Sequence, residues 1–216
     1  MNFVDVFDQL RNVASVARKC PTPLLQAAYV TAVREWCGQT RWLRETVPGF
    51  TTAGDAIYSL GADPLLEIIA IQAMSLAYTV QPSGTPQTRP VVPSDSGGWD
   101  PNRQSSMPIW YSYVPEAQFA LFPTPDKQYD LTITVVVQPV DNVARIPEAP
   151  LRKYSTIFES GALAQLLSNQ GTTWYNPAEA ARHGRIFQAG VSNGKAEVQR
   201  NFNSGAQRAR PRPFLL

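Results

Sequence analysis

The spacing of apolar residues changes twice along this 216-residue chain, and that change limits the folds open to it. Near the start, Phe3, Val6, Phe7, Leu10, Val13, Ala14 and Ala17 recur at helical intervals. Around Tyr129 to Gln138 the interval becomes two: Leu131, Ile133, Val135 and Val137 alternate with Thr132, Thr134 and Gln138. After Pro147 the helical interval returns. The pattern predicts an α+β chain, a helical bundle built from N- and C-terminal segments with an inserted antiparallel β domain.

The helical ends carry their own punctuation. Asn2 is placed to cap the first helix, and Asp5 in its first turn suits the positive helix end. Cys20-Pro21-Thr22-Pro23 stops it, Thr22 caps a second helix, and Gly38 marks that helix's end. Pro150 opens a third helix running to about Asn169, before Gly171. Asn176-Pro177-Ala178-Glu179 is a capping box that starts a fourth. That helix contains Gly184, Gly190 and Gly194, each costing roughly 1 kcal/mol against Ala, so it needs packing partners. Close packing of one copy on another would use them.

Between the helices the sequence predicts strands over 40–47, 56–60, 66–80, 109–114, 118–122 and 129–138. The stretch 66–80 mixes strand-forming Ile with helix-forming Leu, Ala and Met, and its Ile residues favour a strand. Residues 82–108, rich in Pro, Ser, Gly and Gln, read as a long loop. The domain division expected is 1–39 with 148–200 as the helical bundle and 40–147 as the β-rich insertion. Residues 201–216 read as an extended C-terminal arm.

That arm concentrates charge. Residues 195–216 hold Lys195, Arg200, Arg208, Arg210 and Arg212 against Glu197 alone, a net +4 in a chain of net +2. The remaining 194 residues are therefore slightly acidic. Pro211 and Pro213 forbid a regular helix, and the chain ends in apolar Phe214-Leu215-Leu216. Such a segment is expected to order only against a partner, with Arg200, Phe202, Arg208, Arg210, Arg212, Phe214, Leu215 and Leu216 as its binding residues.

Catalytic signatures are sparse. His183 is the single histidine, so a zinc helix is excluded. No phosphate loop, dinucleotide fingerprint or nucleophile elbow occurs. Asp95, Asp100 and Asn102 could face a hard cation, but their spacing fits no calcium loop. Cys20 and Cys37 flank the second helix, which would hold them roughly 20 Å apart. A disulfide needs Cα atoms within roughly 7 Å, so free thiols are expected. Trp110, Tyr111 and Tyr113 could stack bases or sugars, yet strand alternation splits them between two faces. No apolar run approaches a membrane span, and the start lacks a secretory pattern. The expectation is a chain made in a reducing cytoplasm, with no catalytic residue, metal, cofactor or membrane partner.

Three groups of residues carry a family resemblance. Glu35-Trp36-Cys37 leads to Thr40-Arg41-Trp42. Phe119-Ala120-Leu121-Phe122-Pro123-Thr124-Pro125 precedes the strand ending at Gln138-Pro139. Gly161-Ala162-Leu163-Ala164-Gln165-Leu166-Leu167 is followed by Trp174-Tyr175-Asn176-Pro177, then Ala180, Phe187 and Gly190. In this order of elements the chain resembles the head-to-tail adaptor (connector) proteins of short-tailed double-stranded DNA bacteriophages. The resemblance implies a structural virion protein of the neck and tail, made in the host cytoplasm. It implies a homo-oligomeric ring of twelve copies beneath the portal, linking the capsid to the tail. DNA would pass through the channel without sequence-specific binding. The β region would meet the tail nozzle or tube protein and a tail fibre or spike, and the C-terminal arm would climb onto the portal. The competing reading is a carbohydrate- or peptidoglycan-acting enzyme or binding module. A nucleic-acid binder acting through the basic arm is a third.

Overall fold

The computed structural model describes residues 1–80, 84–94, 105–114 and 117–200, the side chain of Val80 excepted. Within them the chain is mixed α+β. Nine strands and four α-helices follow in the order β1 (Phe3–Asp5), α1 (Arg11–Val16), α2 (Thr22–Thr40), β2 (Arg44–Phe50), β3 (Ile57–Ser59), β4 (Leu66–Val80), β5 (Thr85–Pro93), β6 (Trp110–Val114), β7 (Gln118–Phe122), β8 (Asp130–Pro139), β9 (Arg145–Pro147), α3 (Glu148–Leu167) and α4 (Pro177–Gln199).

The helices bury faces at three- and four-residue intervals. In α2 these are Leu25, Ala28, Tyr29, Ala32, Val33, Trp36 and Cys37, in α3 Leu151, Tyr154, Phe158, Ala162 and Leu166, and in α4 Ala180, His183, Phe187, Gly190, Val191 and Gly194. The three faces meet. Trp36 lies 4.5 Å from the Tyr154 ring and 5.4 Å from Phe158, centroid to centroid, and its indole N–H donates to the Gly190 carbonyl at 3.4 Å. Asn176 caps α4, its Oδ1 accepting from the Glu179 N–H at 3.2 Å, with Pro177 in the first turn.

The glycines have another use than the one expected. A Cβ on Gly194 would stand 2.8 Å from Thr40 Cγ2 and 2.9 Å from Trp36 Cζ2. On Gly161 it would stand 2.7 Å from the Phe187 ring and 2.8 Å from Ala32 Cβ, and on Gly190 it would run into Ile157. These glycines therefore admit helices of the same chain and are spent inside the subunit.

The sheet has seven strands in the order β2-β8-β4-β5-β6-β7-β3, antiparallel except where β5 meets β6. β4 serves two partners in succession. Leu66 to Ala77 pairs with β8, with register shifts at Ile68/Ala70 and Ile71/Ala73, and Met74 to Val80 pairs with β5. Bulges of this kind raise local twist and bend the strand. The sheet curls far enough that its first and last members, β2 and β3, are joined by residues 51–56 alone.

Several expectations need correction. The first helix begins at Arg11, not near Phe3. Residues 3–5 pair with 145–147, where Val4 faces Ile146, and a 3-10 turn follows at Phe7–Gln9. Asp5 acts at this break, its Oδ1 accepting from the Phe7 N–H at 2.8 Å. Gly38 does not end α2. The helix runs to Thr40 and stops at Arg41, whose φ of 54° is left-handed. Residues 82–108 are not wholly loop, because 85–93 form β5. Three prolines hid this strand, and an antiparallel partner can tolerate them where no ladder N–H is required. Residues 66–80 are a strand, as their Ile content favoured. Cys20 and Cys37 are both free thiols. Asp95, Asp100 and Asn102 lie outside the described residues.

Candidate functional site

The final turn of α4 leads into the C-terminal segment, whose residues from 201 onward lie outside those described. Glu197 sits here, at the negative end of the helix dipole, where a carboxylate is unfavourable unless cations and donors surround it. They do. Lys153 Nζ donates to Glu197 Oε2 at 2.7 Å, and the Tyr154 hydroxyl donates to the same oxygen. Burial alone would raise the carboxyl pKa. The hydrogen bonds from Lys153, Tyr154 and Trp42 and the Lys153 charge outweigh it and hold the group below its ordinary range. Burial and the Glu197 bond push the Tyr154 phenol upward. One carboxylate thus ties α4 to α3 and to the turn after α2.

Arg200 ends the described chain. It caps α4, its N–H donating to the Ala196 carbonyl at 3.1 Å, and its side chain is exposed. Phe202, Arg208, Arg210, Arg212, Phe214, Leu215 and Leu216 lie outside the described residues. Reading the sequence missed the Glu197 clip. Its signal was present: a lone acid in the last turn of a helix, where the dipole disfavours it.

A second clip joins the helices to the sheet. Arg34 reaches Glu67 Oε2 at 3.1 Å and Asp141 Oδ1 at 2.9 Å, and donates to the Pro139 carbonyl. Gln138 Nε2 donates to the same Glu67 oxygen at 3.1 Å. Arg34 is mostly buried, but Glu67 and above all Asp141 are open to solvent, so salt still screens both pairs.

At the far end of the sheet, two loops lock together. Thr51 Oγ1 accepts from the Tyr129 N–H at 2.8 Å and donates to the Lys127 carbonyl at 2.9 Å. The Tyr58 hydroxyl accepts from the Thr52 N–H at 3.2 Å and donates to the Asp55 carbonyl at 2.7 Å. On this fixed platform Phe50 and Ile57 are 63% and 61% exposed. Beyond it projects the β4–β5 hairpin, on which the Tyr78 hydroxyl donates to Gln87 Oε1 at 2.8 Å.

The aromatics considered as a stacking surface are divided. Tyr111 is core, while Tyr113 is partly exposed and donates to the Ile68 carbonyl at 3.2 Å. His183 is buried, with its Nε2 3.5 Å from the Arg182 guanidinium and 3.9 Å from Glu179 Oε2. Burial and Arg182 lower its pKa against the opposing pull of Glu179. Among the described residues no three His, Cys, Asp or Glu side chains gather as a metal cluster. No described helix is long and apolar enough to cross a membrane.

A helical layer of interlocking aromatics, clamped at the start of its C-terminal segment and bearing a braced β platform, is the geometry of a structural scaffold. The chain belongs to the SU10 adaptor protein family, which it matches over residues 1–212. It is a phage structural adaptor, in agreement with the resemblance read from the sequence. As such it interacts with other components of the virion, and the family gives no support to the carbohydrate- or peptidoglycan-acting alternative. No curated protein matches the chain at a significant level.

Proposed function

We propose that the protein assembles as a ring, of twelve copies, in the neck of the virion, docked beneath the portal and linking the capsid to the tail around the DNA channel. Residues 1–39 and 148–200 act as one helical unit that builds the ring. Residues 40–147 act as the insertion that meets the tail nozzle or tube protein and a tail fibre or spike. Residues 201–216 act as the arm that climbs onto the portal, through Arg200, Phe202, Arg208, Arg210, Arg212, Phe214, Leu215 and Leu216. DNA passes through without sequence-specific contact, and no catalysis is involved.

The observation that supports this reading most is the Glu197 clip. An arm that must reach a fixed partner gains from a fixed point of departure, because its ordering entropy is then limited to its own residues. The clip supplies that point three residues before Arg200. The arm's alternating arginines suit acidic ground, and its Phe-Leu-Leu tip suits an apolar pocket. The platform carrying Phe50 and Ile57 lies at the end of β2 remote from α2, where a tail component could reach it.

The test is removal of residues 201–216. The truncated protein is expected to melt within about 1 °C of the full chain, since the arm's sequence has no helical or strand period and Pro211 and Pro213 forbid a regular helix in it. It is expected to lose co-sedimentation with purified portal rings. Normal joining to the portal by the truncated chain would sink the assignment of the arm. A much earlier melt would place the arm in the fold of its own subunit.

A further inference from the structure

A strand with a neighbour on one side only leaves a row of N–H and C=O groups open, and that row can take a strand from another chain. Among the described residues the seven-stranded sheet has three such stretches. Two are its end strands, β2 and β3. The third is in β5, which meets β6 only at Val92 and Pro93, so that Pro86 to Val91 pairs with β4 alone. The chain leading into β6 turns toward β7 instead, the Ser106 N–H donating to the Thr124 carbonyl and the Ile109 N–H to the Phe122 carbonyl, each at 2.9 Å.

Successive residues of a strand aim their N–H and C=O to opposite sides, so one bond shows which residues face out. On β5 the Val92 N–H donates to the Ile109 carbonyl at 2.9 Å and the Ser94 N–H to the Tyr111 carbonyl at 2.8 Å. Even-numbered residues therefore face away from β4, and the open row is Pro86, Thr88 and Pro90, all exposed. Proline has no N–H, so Thr88 holds the single outward donor of the three. Gln87 and Arg89 face β4, and the ladder loses no bond to the prolines.

β2 repeats the arrangement. The Val137 N–H donates to the Leu43 carbonyl at 3.1 Å and the Thr51 N–H to the Tyr129 carbonyl at 2.9 Å, so odd-numbered residues face β8. Pro48 is exposed and stands in the outward row of this strand, where its missing N–H costs the ladder nothing. β3 has only three residues, too few to hold a strand of another chain. Two of the three open stretches are thus interrupted by proline in their outward rows, and the third is very short.

We propose that Pro48, Pro86 and Pro90 close the free edges of the sheet to strand addition by a second copy of this chain. A row stripped of its donors leaves only side-chain contacts between copies, so they can stand side by side without their sheets joining. This does not depend on how many copies assemble.

Two measurements on the full chain test it. Residue-resolved amide hydrogen exchange of the wild type should show the Gln87 and Arg89 N–H groups protected and Thr88 exchanging at least about tenfold faster than either. Equal protection of all three would overturn the geometry. The second measurement is sedimentation combined with amide I infrared spectra of Pro86→Thr/Pro90→Thr, which restores two outward donors on a residue that favours strands. Large species with an intermolecular-strand band should appear at a concentration at least about tenfold below that needed by the wild type, equal to about 1.4 kcal/mol. Adding Thr88→Pro to this variant should move it back toward the wild type. A folded double variant that associates as the wild type does would overturn the guarding role. Should the double variant fail to fold, Pro48→Thr on the separate strand β2 takes its place: onset of the same band at lower concentration supports the role, and unchanged association overturns it. A ring without the intermolecular-strand band would leave the ring reading untouched in either case.

Discussion

The helical layer and the far end of the sheet use large apolar residues in opposite ways. In the helices Trp36, Tyr154 and Phe158 are enclosed, with Trp36 edge-on to Phe158 and tilted against Tyr154, and Gly194 of the facing helix leaves room for the Trp36 ring. At the far end Phe50 and Ile57 stand in solvent at the ends of β2 and β3, beside loops held by hydroxyl-to-backbone bonds. β5 extends the contrast, being exposed along its length except at Val91. One region spends its apolar surface on its own fold. The other keeps apolar surface in reserve on a braced support, which is what a contact surface requires.

The contrast can be broken most forcefully at Trp36. Trp36→Ala removes the centre of the helical core and should destabilise by about 3–5 kcal/mol in chemical unfolding. A loss below about 1 kcal/mol would mean that the helical layer is loosely packed. Gly190→Ala comes next. The added methyl meets Ile157, and overpacking of this kind costs about 1–3 kcal/mol. An unchanged melt would show that α4 can step away from α3.

Glu197→Gln sharpens the comparison at the end of α4. Loss of the charge-assisted bonds to Lys153 and Tyr154 should destabilise by about 1 kcal/mol, since the pair is partly open to solvent. The same group gives a pH signature. Its folded pKa lies below the unfolded value of about 4.3, so its stabilisation is complete above that value and is lost as pH falls through the folded pKa. His183, also lowered on folding, adds stability above its unfolded value of about 6.5 that is lost as pH falls toward its folded pKa. Melts of wild type and Glu197→Gln should therefore converge at acid pH. A constant gap down to pH 3 would remove Glu197 from the account.

The smallest effect is expected at the platform. Phe50→Ser and Ile57→Ser should change stability by less than about 0.5 kcal/mol, as exposed substitutions do. Their effect should appear only as weaker joining to tail components. A large loss of stability would place these side chains in the fold and end the distinction between the two regions.

The helices α3 and α4 were legible because their signals are local. Pro and Asn caps, and buried positions three and four apart, need no distant partner to be read. The same holds for β8, whose alternation runs from Leu131 to Val135 before Val135, Val136 and Val137 are all buried. β1, β5 and β9 were illegible for the converse reason. Three residues such as Phe3–Asp5 form a strand only because Arg145–Pro147 lies beside them, and Pro86 and Pro90 read as loop until β4 supplies a ladder, as Pro93 does until β6 lies beside it. Of the candidate site, only Arg200 falls within the described residues, whereas Glu197 was visible as a charge and invisible as a clip.

The sequence by itself determined that helices flank a strand-rich middle, that α4 begins at Asn176, and that a basic, proline-spaced segment with an apolar tip closes the chain. These are properties of neighbours along the chain, set by dihedral preference and periodicity. Only the tertiary structure decided that the glycines of α4 admit α2 and α3, that one carboxylate gathers donors from two other elements, and that β2 and β3 end on the same platform. Each of those depends on residues tens to more than a hundred positions apart, and no local preference specifies which distant side chain will fill a gap or answer a charge.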